Sequence, residues 1–587
     1  MTTTGTEDRT TFRARLTALR TWIQGQGLDG LLLTTADVHQ SENPPDHDQT
    51  LRWLSGFTGS LGHALVSQDE AVLFVDGRYQ VQARQQLDLE LWKIAHLENS
   101  PAETWPGAQE KTIGYDPMLW TANQRRSLAR KLALVPLRSD PFQALWNDRP
   151  APPKGRVRQV EGLDLSVSEK LGQVARGLQT SGIDLWVTTR PDDIAWLFNI
   201  RGSDVPMNPV ALSCALIGSD GTAEWFIDAD KLKDVAPAGL TVLPQARFLD
   251  RLRERAPDQT IGMDPAFAPA AVADAVAESG GQLREQDDPI MLLKARKSPA
   301  ELAGYRTAHH ADAIAWVRFL AWLTAAAPQR AALGTPVTEC EAADRILSLR
   351  RAHPSFLECS FATISAAGPN AAMCHYAPSP EHDMPILPEM LYLLDSGGQY
   401  LEGTTDATRT LAFLPQSDDR RKTATAVMRG FLSLSMARFP KGTFPHQIDA
   451  LARAPLWTLG LDYDHGTGHG VGHNLLVHEY PHRFGQRPNA FGLEPGNIMT
   501  IEPGYYREGD YGIRVENQVE LIEEPDGFCT MRPMTLVPID LSFIDISALT
   551  RAEVLWLNAY HAQVRDSLAP HLPEADRVWL LAATAAV

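Results

Sequence analysis

The strongest constraint on the fold is a set of acidic residues that end apolar segments in the second half of the chain. Asp395 ends the run LYLLD, Glu502 ends NIMTIE, and Asp406 lies among threonines eleven residues after Asp395. A carboxylate that emerges from a buried strand is costly unless it is paired or bound to a cation. The acids therefore predict strands that converge on one site.

Asp395 and Asp406 belong to a segment whose sequence is typical of a β-hairpin. Residues 390–413 read as an apolar strand, a Gly-Gly turn and a second strand. This pattern predicts a β-hairpin. Asp406 would lie in the returning strand, so that its carboxylate and that of Asp395 face one site.

A glycine-rich segment, residues 463–482, carries five histidines: His465, His469, His473, His478 and His482. Its glycines disfavour a helix, so we expect a loop or an irregular strand that lets the backbone approach a ligand. Downstream, YGIRVENQVEL predicts a β-branched strand that carries Glu516 beside Arg514. We interpret His473 and His482 as structural or solvated.

These segments together offer four carboxylates and one imidazole: Asp395, Asp406, His469, Glu502 and Glu516. Hard oxygen donors with a single nitrogen suit two divalent cations such as manganese, cobalt or zinc better than a thiolate-rich zinc site does. The formal charges also balance, since four carboxylates match two divalent cations. Such an ion pair activates a bridging water at neutral pH.

The chain repeats itself around a proline-rich break at residues 150–155. Residues 28–60 and 183–203 each read as a buried strand ending in Thr-Thr, a polar or helical stretch, and an aromatic segment closing on Gly-Ser. The repeat predicts two related α/β domains, and Ser298-Pro299 starts a long helical pattern. We therefore predict an α/β (α+β) chain of three domains, at 1–156, 157–297 and 298–587.

Composition narrows the possible partners. The chain has 54 Lys and Arg against 72 Asp and Glu, a net charge of −18, so we expect no nucleic-acid or membrane partner. No stretch approaches the ~18 apolar residues that span a bilayer, and no export signal is recognisable. The five widely spaced cysteines fit no disulfide framework, which favours a cytoplasmic location.

Several motifs carry a family resemblance: DSGGQYLEGTTDATRT, HGTGHGVGHNLLVHE, TIEPGYY and GIRVENQV. They resemble those of the pita-bread metallopeptidases, and among these the large three-domain aminopeptidases P. The resemblance implies two creatinase-like N-terminal domains before a pita-bread catalytic domain. It also implies a homodimer and two bound divalent ions, with Mn²⁺ the first choice and Co²⁺ or Zn²⁺ as options.

By position, the resemblance assigns Asp395 to one metal ion and makes Asp406 and Glu516 the bridging carboxylates. His469 and Glu502 would bind the second ion. A guanidinium among carboxylates orients them, which suits Arg514 of GIRVENQV.

The resemblance also implies roles around the metals. His375 and His478 match histidines that bind substrate and steady the tetrahedral intermediate, while Glu502 relays a proton. His465 matches a residue of the proline-side pocket, and Arg514, grouped with it on the substrate side, matches a partner that orients the ligands. The implied reaction is hydrolysis of the bond between an N-terminal residue and a following proline in oligopeptides, with a bridging hydroxide as nucleophile.

Other functions stay open on the sequence. A prolidase, which cleaves Xaa-Pro dipeptides, shares all five ligands but generally lacks the second N-terminal domain, so the length favours the aminopeptidase. A creatinase works without metal and lacks the acid ligands. A catalytically inactive interaction module of this fold would have lost the ligands that this chain retains.

Overall fold

A computed structural model describes residues 9–99, 105, 110–233, 235, 237 and 239–587. The chain separates into two units, the first ending at Ile290 and the second running from Met291 to the C-terminus with Gly162–Asp164 added. Each unit is described by itself below. In the part of the chain that the structure describes, no helix is both long and apolar enough to cross a bilayer.

The first unit begins with a six-stranded sheet. Its strands are β1 (Gly30–Thr34), β2 (His63–Ser67), β3 (Ala71–Val75), β4 (Lys93–His96), β5 (Thr112–Tyr115) and β6 (Ala133–Pro136). Their order is β4-β3-β2-β1-β5-β6, with β1-β2 and β2-β3 antiparallel and the other pairs parallel. Strands β1 and β3 are buried along their whole length, which explains their uninterrupted apolar sequences.

A second six-stranded sheet repeats this arrangement. Its strands are β8 (Leu185–Thr188), β10 (Cys214–Gly218), β11 (Ala223–Phe226), β12 (Thr241–Leu243), β13 (Thr260–Met263) and β14 (Gln282–Glu285), while β7 (Arg158–Gln159) and β9 (Ile200–Arg201) pair separately. The order β12-β11-β10-β8-β13-β14 has the same sequence of antiparallel and parallel pairs as the first sheet. The two sheets therefore share one topology, as the internal repeat predicts.

Helices flank both sheets of the first unit. They are Arg9–Gly25, Thr50–Ser55, Gln80–Gln86, Ala122–Ala129, Phe142–Leu145, Val167–Thr180, Pro191–Leu197, Phe248–Arg255 and Ala270–Glu278, and Pro289–Ala295 follows. Two of them begin with capping boxes, Thr121 with Gln124 and Ser166 with Glu169, which satisfy backbone N–H groups of the first turn.

The long helix of the second unit, Pro299–Ala332, follows Ser298 as the sequence predicts, and Ser298 and Glu301 form a capping box at its start. Its other helices are Glu339–Arg351, Asp418–Ser435, Pro445–Trp457, Arg551–Leu568 and Glu574–Ala583. Val427 and Phe431 of one helix pack with Leu557 of another in the largest buried cluster of this unit.

The strands of the second unit form several small sheets. They are β15 (Phe356–Cys359), β16 (Ile364–Ala367), β17 (Leu391–Asp395), β18 (Gly398–Tyr400), β19 (Gly403–Thr404), β20 (Thr408–Ala412), β21 (Phe439–Pro440), β22 (Gly468–Gly470), β23 (Glu479–Phe484), β24 (Ile498–Ile501), β25 (Gly504–Arg507), β26 (Tyr511–Arg514), β27 (Asn517–Glu523) and β28 (Phe528–Pro533). Their orders are β15-β18-β19, β16-β17-β20, β21-β28-β27-β24-β22-β23 and β25-β26.

Two strand positions differ from the sequence-based expectation. β17 does pair antiparallel with β20, with Asp395 opposite Thr408, but Asp406 lies just before β20 and not within it. Glu516 lies between β26 and β27, where the chain leaves one sheet and joins another. Ile513 and Val515 before the break and Val519 and Leu521 after it occupy the same alternate positions, with only Asn517 between them polar, so periodicity alone does not reveal the break.

Candidate metal centre and active site

Four strand ends of the second unit bring acidic residues and a histidine together. Atoms of Asp406, His469 and Glu516 that can bind a metal all lie within 4.8 Å of one another. Nε2 of His469 is 3.6 Å from Oδ2 of Asp406 and 3.5 Å from Oε1 of Glu502. Asp406, His469, Glu502 and Glu516 therefore lie in one cluster, and Asp395 is close enough for its charge to raise the pKa of Asp406.

Hydrogen bonds fix how His469 faces the cluster. Nδ1 of His469 is 2.9 Å from the Gly470 carbonyl oxygen, which can only accept, so Nδ1 carries the proton. This tautomer leaves the Nε2 lone pair directed toward the acids, as metal binding requires. The neighbouring glycine allows the strand to pack closely, because a Cβ on Gly468 would collide with the carbonyl oxygen of Thr500 in β24.

Neighbouring residues also orient the carboxylates. The Thr408 hydroxyl donates to Oε2 of Glu516 at 2.7 Å, and Nη2 of Arg514 donates to Oδ2 of Asp395 at 2.6 Å. Nε of Arg514 donates in turn to the Thr408 hydroxyl at 3.2 Å. Asp395 and Glu516 thus each have one oxygen held by a hydrogen bond from a neighbouring side chain.

Two oxygens of the cluster are buried without a hydrogen-bond partner among the described residues, Oδ1 of Asp395 and Oδ1 of Asp406. Buried polar atoms in native proteins nearly always have a partner, so these two atoms call for an occupant. A divalent cation satisfies them, and the donor set of oxygens with one imidazole nitrogen suits such a cation. The residues present therefore fit a metal centre.

The electrostatics of the metal-free cluster point the same way. Burial, followed by the charges of Asp395 and Glu502, holds the pKa of Asp406 well above its ordinary value. Burial and the charge of Asp406 do the same to the pKa of Glu516, and burial raises the pKa of Glu502 to about 7. Crowded buried carboxylates resist ionisation, and a bound cation reverses that preference.

A hydrogen-bonded chain runs from Asp395 to His465. Nη1 of Arg514 donates to the Tyr506 hydroxyl at 2.7 Å, and this hydroxyl is 2.7 Å from Nε2 of His465. Nδ1 of His465 is 2.7 Å from the Gly466 carbonyl, so Nε2 accepts from Tyr506 and the ring is neutral. Burial, then the charge of Arg514, keeps the pKa of His465 well below its ordinary value.

The two predicted substrate histidines lie near this cluster. The ring of His478 meets that of His469 edge to face, with centroids 4.3 Å apart. His375 is partly buried after the short helix Gly368–Ala372, and its charge acts on His465. Arg514 donates hydrogen bonds to Asp395, Tyr506 and Thr408. These contacts suit a residue that orients the ligands.

The remaining histidines of the glycine-rich segment make structural contacts. Nε2 of His482 is 3.0 Å from the Gly492 carbonyl, and burial lowers the His482 pKa to about 4. The ring of His473 packs against Tyr305 with centroids 5.4 Å apart. Both observations agree with the structural interpretation.

Sequence reasoning missed three supporting residues: Thr408, Tyr506 and Gln518, whose side-chain oxygen accepts from the Asp406 backbone N–H at 3.0 Å. Thr408 and Gln518 each stand two residues from a predicted ligand. On a regular strand such residues would share a face, but Asp406 and Glu516 lie outside the strands, so this spacing alone does not identify their neighbours.

Comparison with known proteins identifies the family. The profile of Metallopeptidase family M24 matches residues 303–523, and that of its C-terminal region matches 527–587. Two Creatinase/Prolidase N-terminal domain profiles match residues 15–140 and 148–301. Aminopeptidase P1 of Arabidopsis thaliana is 37% identical, covering 95% of this chain and 96% of its own. The chain belongs to the aminopeptidase P family.

Other members of the aminopeptidase P family agree with this assignment. The probable Xaa-Pro aminopeptidase P of Aspergillus fumigatus is 37% identical over 98% of this chain and 92% of its own. The crystal structure of X-prolyl aminopeptidase from Caenorhabditis elegans, described as a cytosolic enzyme with a di-nuclear active site, superposes with a TM-score of 0.91. It is 32% identical and covers 98% of this chain and 100% of its own. The predicted fold class, creatinase-like domains before an M24 catalytic domain, is confirmed.

A shorter structure shares the fold alone. Xaa-Pro dipeptidase from Bacillus anthracis superposes with a TM-score of 0.52 at 22% identity. It covers 64% of this chain but 99% of its own length. About a third of this chain therefore has no counterpart in that protein.

Proposed function

We propose that this protein is a metal-dependent Xaa-Pro aminopeptidase, which hydrolyses the bond between an N-terminal residue and a following proline in oligopeptides. The observation that carries the proposal is the cluster of Asp406, His469 and Glu516 in a chain with full-length similarity to Xaa-Pro aminopeptidases. The di-nuclear centre described for the Caenorhabditis elegans relative supports two metal ions here.

The ligands proposed for the two ions are Asp395, Asp406, His469, Glu502 and Glu516. Asp395 would hold one ion, His469 and Glu502 would hold the other, and Asp406 and Glu516 would be shared between them. Mn²⁺ is the first candidate, with Co²⁺ and Zn²⁺ as alternatives, because these sites follow metal availability as well as ligand type. When bound, the ions would lower the pKa of a water molecule and so activate it at neutral pH.

The chain's own residues then position the substrate and move its protons. Glu502, whose partly buried carboxylate lies 3.5 Å from Nε2 of His469, accepts a proton and relays it toward the leaving nitrogen. His375 and His478 donate hydrogen bonds to the oxyanion that develops on the carbonyl. His465 lines the proline side, and Arg514 acts through Asp395, which it holds by a 2.6 Å hydrogen bond.

The test combines metal analysis with peptide hydrolysis. We expect the purified enzyme to lose activity on an Xaa-Pro-Pro tripeptide after chelation and to recover it with Mn²⁺. Strong preference for an Xaa-Pro dipeptide would indicate a prolidase instead. Hydrolysis of neither peptide under any metal would indicate an inactive module, and activity that survives exhaustive chelation would contradict the metal centre.

We also propose the domain boundaries 1–156, 157–297 and 298–587, supported by the profile matches to residues 15–140, 148–301 and 303–523 and by the capping box at Ser298. A homodimer in the cytoplasm completes the proposal, supported by the family resemblance and by the cytosolic relative. Light scattering on the purified protein tests the dimer.

A further inference from the structure

Arg483 lies directly opposite His469 in the sheet. β22 and β23 run antiparallel, and their register pairs His469 with Arg483. Side chains of directly opposed residues project from the same face of a sheet, with their Cβ atoms about 5 Å apart. Since His469 faces the acidic cluster, Arg483 projects from the face that carries the proposed metal site.

The guanidinium of Arg483 lies over Gly466. A Cβ placed on Gly466 would be 2.8 Å from Nε and 3.2 Å from Nη2 of Arg483. The carbonyl of Gly466 accepts the hydrogen bond from His465, the residue proposed for the proline side. The charge of Arg483 also reaches the carboxylate of Glu502. Arg483 therefore stands beside both the proline side and the reacting centre.

Unlike Arg514 and Arg453, Arg483 is exposed, and it forms no ion pair within the part of the chain that the structure describes. Arg514 and Arg453 are buried and bonded, Arg514 to Asp395 and Arg453 to Asp449. An exposed guanidinium offers five donors in a planar fork that matches a carboxylate. Its donors are available to a ligand.

The charge of the Arg483 guanidinium indicates which kind of ligand it binds. The four acids of the cluster are neutralised when two divalent cations are bound, so Arg483 then contributes an uncompensated positive charge beside the site. A peptide chain that leaves the proline side carries one obligatory anion, its C-terminal carboxylate. We propose that Arg483 binds the C-terminal carboxylate of short Xaa-Pro peptides and so determines specificity, an inference that rests on the proposed aminopeptidase function.

The test compares an Xaa-Pro-Ala tripeptide as the free acid with the same peptide as its amide. We expect the wild-type enzyme to show the lower KM for the acid. Arg483→Met should raise the KM for the acid on the order of 10-fold, the scale of one charge-assisted hydrogen bond, and leave its kcat unchanged. The KM for the amide should change little, and Arg483→Lys should give an intermediate preference because the charge remains without the fork.

Arg438→Met is the matched control. Arg438 is also exposed, pairs with Asp526, and precedes β21 at the opposite edge of the same sheet. It should leave both substrates unaffected, and all variants should retain the metal content and Tm of the wild type.

Each other outcome overturns the assignment. Equal losses on acid and amide would mean that Arg483 contacts a feature both peptides share, and unchanged kinetics would mean that it contacts neither. A fall in kcat with unchanged KM would place Arg483 in the chemical step. If the wild-type enzyme cleaves neither peptide, the proposed function fails, which is a different result from the failure of this inference.

Discussion

Three of the five proposed ligands have a neighbour that holds one of their polar atoms. Arg514 holds Asp395, the Thr408 hydroxyl holds Glu516, and the Gly470 carbonyl fixes the tautomer of His469. Supporting partners of this kind commonly contribute 10- to 100-fold to metal affinity or activity. Residue-scale predictions therefore concern both the ligands and these neighbours.

Asp406→Ala should abolish metal binding and lower hydrolysis by more than about 100-fold while the protein stays folded. The reason is that Asp406 lies against both His469 and the other acids. Metal content by mass spectrometry and circular dichroism check the two parts of this prediction. Asp406→Asn is the control of matched volume, and it should make the metal-free protein at least as stable, because a neutral amide replaces a buried carboxyl group that resists ionisation. Full metal content in the Ala variant would contradict the ligand role.

Thr408→Val should weaken metal binding about 10- to 100-fold, because it removes the hydroxyl that donates to Glu516. Thr408→Ser retains the hydroxyl and should bind metal like the wild type. Titration of the metal-free proteins with Mn²⁺ gives the affinities. Equal affinities for the Val and Ser variants would show that the hydroxyl contributes nothing.

His478→Ala and His375→Ala should each lower kcat on the order of 10²- to 10³-fold, as expected for the loss of one oxyanion donor. Metal content should stay at the wild-type level in both variants. Steady-state kinetics with metal analysis on the same preparations separates the two effects. A variant that loses metal would identify its histidine as a ligand.

The proposed metal ligands could be predicted from the sequence more readily than the residues that orient them by hydrogen bonds. Asp395 and Glu502 were found because an acid that ends an apolar strand is unusual and costly. Thr408 and Tyr506 were missed because hydroxyl residues are common on strands and become informative only when their partners in space are known.

At the scale of elements, the site depends on how closely β22 and β24 approach each other. Gly468 lies under the Thr500 carbonyl, and His469 next to it donates its backbone N–H to the Thr500 hydroxyl at 3.0 Å. The sequence predicted an irregular strand here from its glycines, and β22 is a short strand with a register shift after His469. It could not predict the partner strand, because strand pairing depends on residues far apart in the chain.

Gly468→Ala should destabilise the protein by about 1–3 kcal/mol, since its Cβ would meet backbone that cannot rotate away. Displacement of β22 should also move His469 and lower the metal content. The control is Gly177→Ala in the helix Val167–Thr180, where a Cβ meets nothing within 4 Å and helix propensity favours Ala by up to about 1 kcal/mol. Chemical unfolding of both variants measures the difference. Equal stabilities would mean that β22 shifts without cost.

At the scale of the whole molecule, the sequence predicted a duplication that the two six-stranded sheets express as one shared strand order. Short buried strands ending in Thr-Thr carried that signal, at β1 and at β8. The strand order itself could not be predicted, because antiparallel and parallel neighbours are chosen by crossover connections and not by the composition of a strand.

Global stability should depend on pH through histidines that are buried in the neutral form. Burial, followed by the charges of Arg409 and Arg565, lowers the pKa of His561 to about 4, and Nε2 of this ring accepts from the Ile539 backbone N–H at 3.2 Å. The unfolded chain binds a proton at His561 near pH 6.5, whereas the folded chain does so only near pH 4. The contribution of His561 to stability is therefore fully present above pH 6.5 and is lost as pH falls toward 4.

His561→Gln isolates this contribution, because the amide oxygen can still accept from Ile539 but does not titrate. From pH 7.5 to pH 5, the free energy of unfolding of the wild type should fall by about 2 kcal/mol more than that of the variant, as follows from the two pKa values. Chemical unfolding of the metal-free proteins at both pH values measures the difference, and the acidic cluster, common to both, cancels. Parallel pH profiles would mean that the folded protein admits a proton at His561 as readily as the unfolded chain does.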